Sequence, residues 1–407
     1  MINKEMFLAD LKDVKKIPLR NGYGEGLVIA GEKNKNVVVL CADLSESTRS
    51  LQFQQKFPER FIEVGVAEQN MASLAAGMCL AGKIPFISSY AMFSPGRNWE
   101  QIRTTICYNE VNVKIGGAHA GISVGPDGAT HQAIEDIAII RPIPNMTVIV
   151  PCDSIEAKKA TVAAAEFYGP CYIRFAREKT PVMTTDKTPF TVGKAEIFRF
   201  GEDIAIVACG QMVYEALKAA EELEKEGISA MVVNNHTIKP IDEKTLIDTA
   251  QRCGAIVTAE EHQINGGMGS AVAEVIVKNY PVPIKMVGVQ TRFGESGDPE
   301  ELMDKFGLRA KDIIIAAKQA LAMKKVKNCV NDPFVLKSGE KIYSLHELYY
   351  SLKKMSDDIF NHHVNDKKND FANWIKDSFK DQKLADAIKK SKTKEAIIAV
   401  VGLRINA

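Results

Sequence analysis

The stretch VVVLCADLSES, residues 37–47, joins an unbroken apolar run to a polar end. Val37 to Ala42 predicts a strand that is buried on both faces, because a strand with one solvated face would alternate apolar and polar residues. Asp43 and Ser47 follow the strand at its carboxyl end, where open α/β sheets usually bind ligands. This stretch therefore predicts a parallel α/β sheet with a ligand site at its edge.

Similar apolar runs recur over the first three quarters of the chain and alternate with helical patterns. Asp153 and Glu156, for example, form a capping box ahead of an alanine-rich helix. Strands that alternate with helices are typical of βαβ units, so the pattern predicts two α/β domains with parallel sheets. The predicted strands are 37–42, 61–66, 84–87, 111–115, 146–150 and 171–175 in the first domain, and 204–208, 228–233, 255–258 and 284–289 in the second.

The composition of the chain changes at two places, which we interpret as domain boundaries. The stretch EKTPVMTTDKTPFT, residues 178–191, has two prolines and five threonines without periodicity, as in a linker. Beyond about residue 325 strand patterns vanish and lysine and aspartate increase. We therefore expect an α/β domain over 1–185, a second over 186–325, and a small helical module over 326–407.

Overall composition excludes several classes of protein. The 407 residues contain 52 Lys plus Arg and 51 Asp plus Glu, a net charge of +1. A dedicated nucleic-acid or anionic-membrane binder would normally show a basic excess. The eight cysteines are scattered without a CxxC pair and are interpreted as reduced core residues. We find no signal peptide, and the longest apolar run is too short to span a bilayer, so we expect a cytoplasmic protein.

Glu68 and two aromatic residues are candidates for binding a flat heterocycle. Glu68 follows the apolar strand and opens an apolar helix, where a partly desolvated carboxyl group could share a proton with a ligand nitrogen. The alternative is that it only complements the helix dipole in solvent. Tyr90 and Phe93 are three residues apart after a strand and could form an aromatic wall, although such pairs are often plain core.

Two histidines and two arginines are candidates for binding a phosphate ester. His119 and His131 flank a glycine-rich loop that contains Asp127, and histidines donate well to phosphate and sugar hydroxyls. Arg20 and Arg177 each lie beside a predicted strand or turn and could bind phosphate bidentately. The alternatives are a solvated loop and solvated surface arginines. No HExxH motif or Cys/His cluster indicates a metal site.

Taken in order, these segments identify a family. The series ADL, VAEQN, YAMF, HAGISVGPDGATHQ, PNMTVIVPCD and GPCYIRFAR closely resembles the pyrimidine-binding half of the transketolase family. The later segments GQMVYEALKAAEELEKEG and EEHQINGGMGSAVAE resemble its C-terminal domain. The resemblance covers about residues 10–322, and the histidine pair favours transketolase over its relatives.

The resemblance implies a role for each candidate residue. Glu68 matches the glutamate that hydrogen-bonds the aminopyrimidine of thiamine diphosphate and is thereby the catalytic residue of this chain. In the cofactor-binding set, Tyr90 and Phe93 match the aromatic residues that flank the pyrimidine, and Asp43 matches an acid near the thiazolium. The sugar-phosphate clamp is matched by Arg20, Ser47, His119 and Arg177. Contacts to substrate hydroxyls are matched by Asp127 and His131.

Two departures from the family pattern stand out. The next aromatic residue of the cofactor wall is replaced by Gly96, beside Arg97. More importantly, the GDG…NN pattern that binds Mg²⁺ and the cofactor diphosphate in this family is missing, since Asn234-Asn235 has no Gly-Asp-Gly upstream. We therefore expect a split enzyme: a separate N-terminal subunit brings the diphosphate-binding domain and holds Mg²⁺, and the two chains form a heterotetramer.

The predicted reaction is transfer of a two-carbon ketol unit from a ketose phosphate to an aldose phosphate. Alternatives are an enzyme like 1-deoxyxylulose-5-phosphate synthase, a 2-oxo acid dehydrogenase β subunit, or a non-catalytic regulatory or binding subunit. The module over 326–407 is similar to a small uncharacterised helical family and carries no assigned function. Its His362-His363 pair is expected to be solvated, because neighbouring helical positions do not share a face.

Overall fold

The computed structural model describes residues 1–326 and 329–405, which form two compact units, Met1–Leu321 and Ala322–Ala407. The first unit contains two α/β layers, each built on its own sheet, which confirms the predicted fold class. The helices of the first unit are α1 (Leu19–Lys33), α2 (Ser45–Thr48), α3 (Leu51–Lys56), α4 (Glu68–Leu80), α5 (Trp99–Gln101), α6 (Asp136–Ile140), α7 (Ser154–Glu166), α8 (Met212–Lys225), α9 (Glu243–Cys253), α10 (Met268–Asn279), α11 (Pro299–Lys305) and α12 (Ala310–Val326), the last of which continues past Leu321.

The strands of the first unit form three sheets. They are β1 (Lys16–Pro18), β2 (Val37–Cys41), β3 (Phe61–Glu63), β4 (Ile84–Tyr90), β5 (Lys114–Ala118), β6 (Thr147–Ile149), β7 (Cys171–Arg174), β8 (Lys179–Pro181), β9 (Glu196–Arg199), β10 (Ile204–Ala208), β11 (Ala230–Asn234), β12 (Thr237–Lys239), β13 (Ile256–Gln263) and β14 (Ile284–Val289). Short 3-10 helices cover Lys4–Met6, Pro58–Arg60 and Ile122–Asp127, and a π-helical segment covers Ile102–Cys107.

The first sheet has seven strands in the order β12-β6-β7-β5-β4-β2-β3. All neighbours are parallel except β12, which pairs antiparallel with β6. Every residue of β2 is buried, as its unbroken apolar sequence predicted. Val39 pairs with Phe61 on one side and Phe86 on the other, so β2 is an interior strand.

The second sheet has five strands in the order β14-β13-β10-β11-β9, parallel except for β9. Residues of both layers contribute to one hydrophobic core, for example Val148 and Ile140 from the first and Val233 and Leu246 from the second. The two layers are therefore packed together over a shared apolar interface, with β12 crossing into the first sheet.

The threonine-rich stretch that we interpreted as a linker is held against the first layer. Its strand β8 pairs antiparallel with β1. The Asp153 carboxylate accepts hydrogen bonds from the backbone N–H groups of Met183 (2.8 Å) and Thr184 (2.6 Å), and from the Thr184 hydroxyl (2.8 Å). Three of its five threonines, Thr180, Thr184 and Thr188, are buried and hydrogen-bonded, which explains a composition without periodicity.

The second unit is mainly helical, as predicted, but it also contains two small hairpins, β15–β16 and β17–β18. The expectation that His362 and His363 form a solvated pair is wrong for His363, which is buried between the Lys337 backbone N–H (3.0 Å) and Asp370 (3.1 Å). The elements are β15 (Cys329–Val335), β16 (Lys341–Ser344), α13 (Leu345–Lys354), α14 (Asp357–His363), β17 (Val364–Asn365), β18 (Lys368–Asn369), α15 (Asp370–Trp374), a π-helical segment (Ile375–Phe379), α16 (Gln382–Lys390) and α17 (Lys394–Ile405).

Within the described ranges, 1–326 and 329–405, every helix falls short of the length and apolar character that crossing a bilayer requires.

Candidate active site

The predicted site residues lie at the carboxyl edge of the first sheet. Asp43 follows β2, Tyr90 ends β4, His119 comes directly after β5, and Arg177 follows β7, while Glu68 opens α4 beyond β3. Neighbouring parallel strands end at the same edge of a sheet, so side chains that are distant in sequence meet there. The placement agrees with the expectation drawn from the polar residues after each apolar run.

Glu68 is buried, with 3% of its surface exposed. One carboxylate oxygen accepts a hydrogen bond from the Ser89 hydroxyl at 3.2 Å, and Asn98 donates to the Glu68 backbone carbonyl at 3.2 Å. Its position in the first turn of α4 places the carboxylate near unsatisfied backbone N–H groups, which favour a negative charge. A carboxylate that only complemented a helix dipole in solvent would be exposed, so the burial of Glu68 argues against that alternative.

Arg97 is the partner that the sequence flagged only as a departure from the family pattern. Its guanidinium donates to both Glu68 carboxylate oxygens, at 3.1 and 3.3 Å. The same group lies over the Phe93 ring, 4.1 Å from the ring centroid. The Arg97 guanidinium is thus a planar hydrogen-bond donor that binds the glutamate and stacks on an aromatic ring. A protonated heterocycle bound at this place would make the same two contacts.

The two predicted aromatic residues form a cluster with the two histidines. The Tyr90 and Phe93 rings are stacked with centroids 6.0 Å apart, and the His119 ring stacks on Tyr90 at 4.1 Å. The His131 ring meets both aromatic rings edge-on. Tyr90 and Phe93 are only half-buried, so the cluster presents ring surface beside Glu68 rather than closing into the core.

Arg20 and His119 form a basic pair. Their side chains are 3.3 Å apart, and Arg20 also donates to the Ser47 backbone carbonyl at 3.1 Å. Burial and the charge of Arg20 lower the pKa of His119 to about 3, so its ring is neutral near pH 7. Burial, with the charges of Arg49 and Arg177, lowers the pKa of Arg20. An anion bound here would relieve this repulsion between cations.

Two buried donors at this pair lack hydrogen-bond partners among the described residues: Arg20 Nε and His119 Nδ1. Buried polar atoms normally have hydrogen-bond partners. Two buried donors without partners, one of them on the Arg20 cation, therefore indicate a place for a ligand with acceptor oxygens. Arg177 lies nearby, donating to the Val124 carbonyl at 2.8 Å and pairing with Asp127 at 3.5 Å.

Two predicted residues contribute less directly. Ser47 contacts Arg20 through its backbone carbonyl rather than its hydroxyl. Asp43 is exposed in a left-handed conformation (φ 57°), and across the described residues its carboxylate makes no hydrogen bond or ion pair to the other site residues. Its backbone N–H donates to Glu63 at 2.7 Å. The roles of all the predicted site residues remain predictions.

Sequence patterns missed the support that the second α/β layer gives to the glycine-rich loop. Ser123 in that loop donates its backbone N–H to Glu261, at the end of β13, over 2.6 Å. Nothing in the periodicity of the EEH motif at residues 260–262 indicates a contact 138 residues away. Within the described ranges, no group of three or more His, Cys, Asp or Glu side chains is placed to hold a metal ion.

Comparisons with known proteins place the site in a broader context. The transketolase pyrimidine binding domain matches residues 15–183, and the transketolase C-terminal domain matches residues 193–313. The chain is 47% identical over 298 residues to a putative transketolase C-terminal section from Methanocaldococcus jannaschii, covering 72% of this chain and 93% of that protein. It is 43% identical over 306 residues to a 6-deoxy-6-sulfo-D-fructose transketolase subunit from Clostridium, covering 75% and 95%.

Longer relatives and a solved structure agree. Rat transketolase is 37% identical over 313 residues, which is 76% of this chain but 50% of that protein. A solved split-gene transketolase, described as an inactive β4 tetramer, shares 47% identity with a TM-score of 0.72 and covers 76% of this chain and 99% of its own. The matched family models end at residue 313, before the second unit of this chain, and the chain spans about half the length of rat transketolase.

Proposed function

The chain belongs to the transketolase family, and on that premise we propose that it is the C-terminal subunit of a two-subunit transketolase. In the proposed reaction, a two-carbon ketol unit passes from a ketose phosphate to an aldose phosphate. The observation that carries the proposal is the buried Glu68 carboxylate beside the half-buried ring surface of Tyr90 and Phe93. The pairing suits one class of ligand, a flat heterocycle with a ring nitrogen that can share a proton.

The residues at this place fit the pyrimidine end of thiamine diphosphate. The Arg97 guanidinium already makes the two kinds of contact that an aminopyrimidine would need, hydrogen bonds to Glu68 and stacking on Phe93. Glu68 would hold a proton at the ring nitrogen, and Tyr90 and Phe93 would orient the ring and exclude water from one face. When bound, the cofactor supplies the nucleophilic carbon and the electron sink of ketol transfer. Asp43 is proposed to lie near the thiazolium.

The basic pair and its neighbours would orient the substrate. Arg20, His119 and Arg177, together with Ser47, are proposed to bind the phosphate. The unpartnered Arg20 Nε and His119 Nδ1 atoms support this, because a phosphate has acceptor oxygens for both. Asp127 and His131 are proposed to contact sugar hydroxyls from the far end of the glycine-rich loop.

A separate N-terminal subunit is proposed to complete the site. This chain covers about half of rat transketolase and lacks the GDG…NN pattern, so the diphosphate and Mg²⁺ would be held by that partner. Nearly the whole length of the archaeal C-terminal section is matched, which supports a chain that functions as one of two subunits. We propose a heterotetramer as the closed assembly.

The anion at the end of the substrate is less narrowly defined. One relative is named for a sulfosugar, and a sulfonate presents tetrahedrally arranged acceptor oxygens much as a phosphate does. We favour a phosphate ester because the cluster gathers Arg20, Arg177 and a neutral histidine donor around one place. Comparing fructose 6-phosphate with 6-deoxy-6-sulfofructose as the ketol donor distinguishes the two substrates.

The proposed division of labour is tested by reconstitution. Alone, this chain should give no ketol transfer in a coupled assay; with the GDG…NN subunit, thiamine diphosphate and Mg²⁺, it should be active. Robust activity of the chain alone would refute the split arrangement. No activity in the complete mixture, despite complex formation, would favour the non-catalytic alternative. Activity with pyruvate in place of a ketose phosphate would favour an enzyme like 1-deoxyxylulose-5-phosphate synthase or a 2-oxo acid dehydrogenase.

Glu68→Gln tests the proton-sharing role within the reconstituted complex. The amide keeps the shape of the side chain but cannot hold the proton, so kcat should fall by roughly a hundredfold or more. Glu59→Gln, on the surface beside Arg60, is the matched control and should retain normal activity. Subunit association, measured by light scattering, should be unchanged in both variants. Near-normal turnover of Glu68→Gln would remove Glu68 from the proposed role.

A further inference from the structure

We propose that Glu261, in the second α/β layer, is a positioning residue for substrate binding. Paired with Gln211, it fixes the glycine-rich loop that runs from His119 to His131. The effect on catalysis rests on the proposed function. The positioning of the loop does not, and it can be tested without substrate.

The first observation is a closed set of hydrogen bonds around the Glu261 carboxylate. One oxygen accepts the Ser123 backbone N–H at 2.6 Å, and the other accepts from the Gln211 side-chain amide. That amide also donates to the Ser123 hydroxyl at 3.1 Å. Glu261 is 4% exposed, so these hydrogen bonds lie in a water-poor place, where hydrogen bonds are strongest.

The second observation is the close approach of the loop to the second layer. Gly121, Gly125 and Gly128 all have φ between 73° and 91°, which only glycine adopts readily. A Cβ at Gly121 would lie 2.3 Å from a Glu261 carboxylate oxygen, and one at Gly128 would lie 2.4 Å from the Ser296 hydroxyl. The glycines are therefore required by contact with the second layer as well as by the turn.

A second tie fixes the far end of the loop. The Gln132 side-chain amide donates to the Ile122 carbonyl inside the loop and to the Glu295 carbonyl in the second layer, each at 3.0 Å. Buried Arg174 donates to the carbonyls of Ala133 (3.3 Å) and Glu261 (2.8 Å). Both ends of the loop are thus anchored to the second layer, at Glu261 and at Glu295.

The loop transmits this placement to the proposed substrate contacts. Arg177 donates to the carbonyl of Val124, the residue after Ser123, and pairs with Asp127 near the end of the 3-10 helix. A movement of Ser123 would therefore displace the carbonyl that orients Arg177 as well as the residue that pairs with it. Glu261 touches no predicted substrate group, so its effect is exerted through the loop.

The test exchanges donor and acceptor. Gln211→Glu places a second carboxylate against the Glu261 carboxylate, and no flip of either side chain supplies the missing donor. Glu261→Gln alone keeps complementarity, because the Gln211 amide can flip and accept from the new glutamine and from the Ser123 hydroxyl. The double variant Glu261→Gln, Gln211→Glu restores complementarity: the new glutamine accepts from Ser123 N–H and donates to the new glutamate, which also accepts from the Ser123 hydroxyl. Glu260→Gln is the matched control, because buried Glu260 accepts the Met268 and Gly269 N–H groups and does not touch the loop.

The first readout is hydrogen exchange of the loop amides in the full chain without ligands. Exchange over residues 119–132 should accelerate roughly ten- to a hundredfold in Gln211→Glu and return to the wild-type rate in the double variant. Unchanged exchange in Gln211→Glu, or a double variant that exchanges as fast as Gln211→Glu, would overturn the proposal. If Gln211→Glu does not fold, the double variant is still expected to fold and to exchange as the wild type.

The second readout is kinetic, in the reconstituted complex. Gln211→Glu should raise KM for the phosphorylated substrate about tenfold or more with a smaller change in kcat, and the double variant should reverse it. Glu260→Gln should lower stability and leave KM unchanged. An effect of Gln211→Glu on kcat alone would indicate a merely structural role and overturn the proposal. If the wild-type complex shows no ketol transfer, the proposed function fails, whereas hydrogen exchange still decides the positioning role.

Discussion

Replacing Glu156 by glutamine should make the protein more stable at pH 8 while changing its stability little at pH 5. Glu156 is buried in α7, where one carboxylate oxygen accepts the Cys152 N–H (2.6 Å) and the other accepts from Asn234 (2.7 Å). Burial, reinforced by the charge of Asp153, raises the pKa of Glu156 from its usual 4.5 to about 7. Ionising this carboxyl group in the folded protein is therefore costly.

The size of the effect follows from linkage. Each pKa unit corresponds to about 1.4 kcal/mol, so the rise from 4.5 to about 7 corresponds to about 3 kcal/mol of unfolding free energy. For a carboxyl group with a raised pKa, this stability is present below pH 4.5 and is lost as the pH rises through 7. The glutamine does not titrate. Its amide can donate to the Asn234 side-chain oxygen, which has no partner among the described residues, once that amide flips.

Denaturant unfolding followed by circular dichroism measures the prediction. The stability of Glu156→Gln relative to wild type should be about 2–3 kcal/mol more favourable at pH 8 than at pH 5. Glu260→Gln is the contrast: burial likewise raises the pKa of Glu260 to about 7, but its oxygens accept two backbone N–H groups that cannot flip. That variant should be destabilised at both pH values. A Glu156→Gln variant with the same relative stability at pH 5 and pH 8 would refute the reasoning.

Two further predictions concern charged side chains in the first unit. Asp136→Ala should reduce the unfolding free energy by about 3–5 kcal/mol, because it leaves buried Arg174 without its ion-pair partner, 2.8 Å away in the wild type. Calorimetry measures this loss, and a value below about 1 kcal/mol would contradict the prediction. Arg97→Ala should strengthen binding of thiamine diphosphate to the isolated chain by roughly three- to tenfold, since the cofactor no longer competes with the guanidinium for Glu68. Isothermal titration measures this against the exposed control Arg103→Ala, and weaker binding would show that Arg97 supports the site rather than filling it.

Strands with unbroken apolar sequences could be predicted almost residue by residue. The predicted range 204–208 coincides with β10, and 37–42 extends β2 by one residue. The range 284–289 also coincides with β14, although the first half of that strand is only half-buried. The range 111–115, which contains Asn112 and Lys114, begins three residues before β5. Burial on both faces removes the alternation that would otherwise leave the register open. By contrast, β1 and β8 were missed, because three-residue strands with polar ends depend on partners about 165 residues away, as between Lys16 and Pro181.

The candidate site could be predicted where topology alone brings residues together. Parallel strands end at one edge, so residues that follow β2, β4, β5 and β7 must be neighbours whatever their sequence separation. Contacts that depend on side-chain direction could not be predicted. Arg97 binds Glu68 because a turn after β4 brings its guanidinium back over Phe93, and Glu261 reaches Ser123 because two sheets pack together. Neither arrangement has a periodicity that a sequence reveals.

The antiparallel strand β12 has a consequence for how the chain folds as it leaves the ribosome. The first sheet needs residues 237–239 to cover the edge of β6, although its other six strands are complete at Arg174. During the synthesis of the intervening residues, β6 presents an unpaired edge that another nascent chain could extend. A gene truncated between the two layers would make that exposure permanent. Separating the two α/β layers into two chains is therefore expected to favour aggregation over two soluble domains.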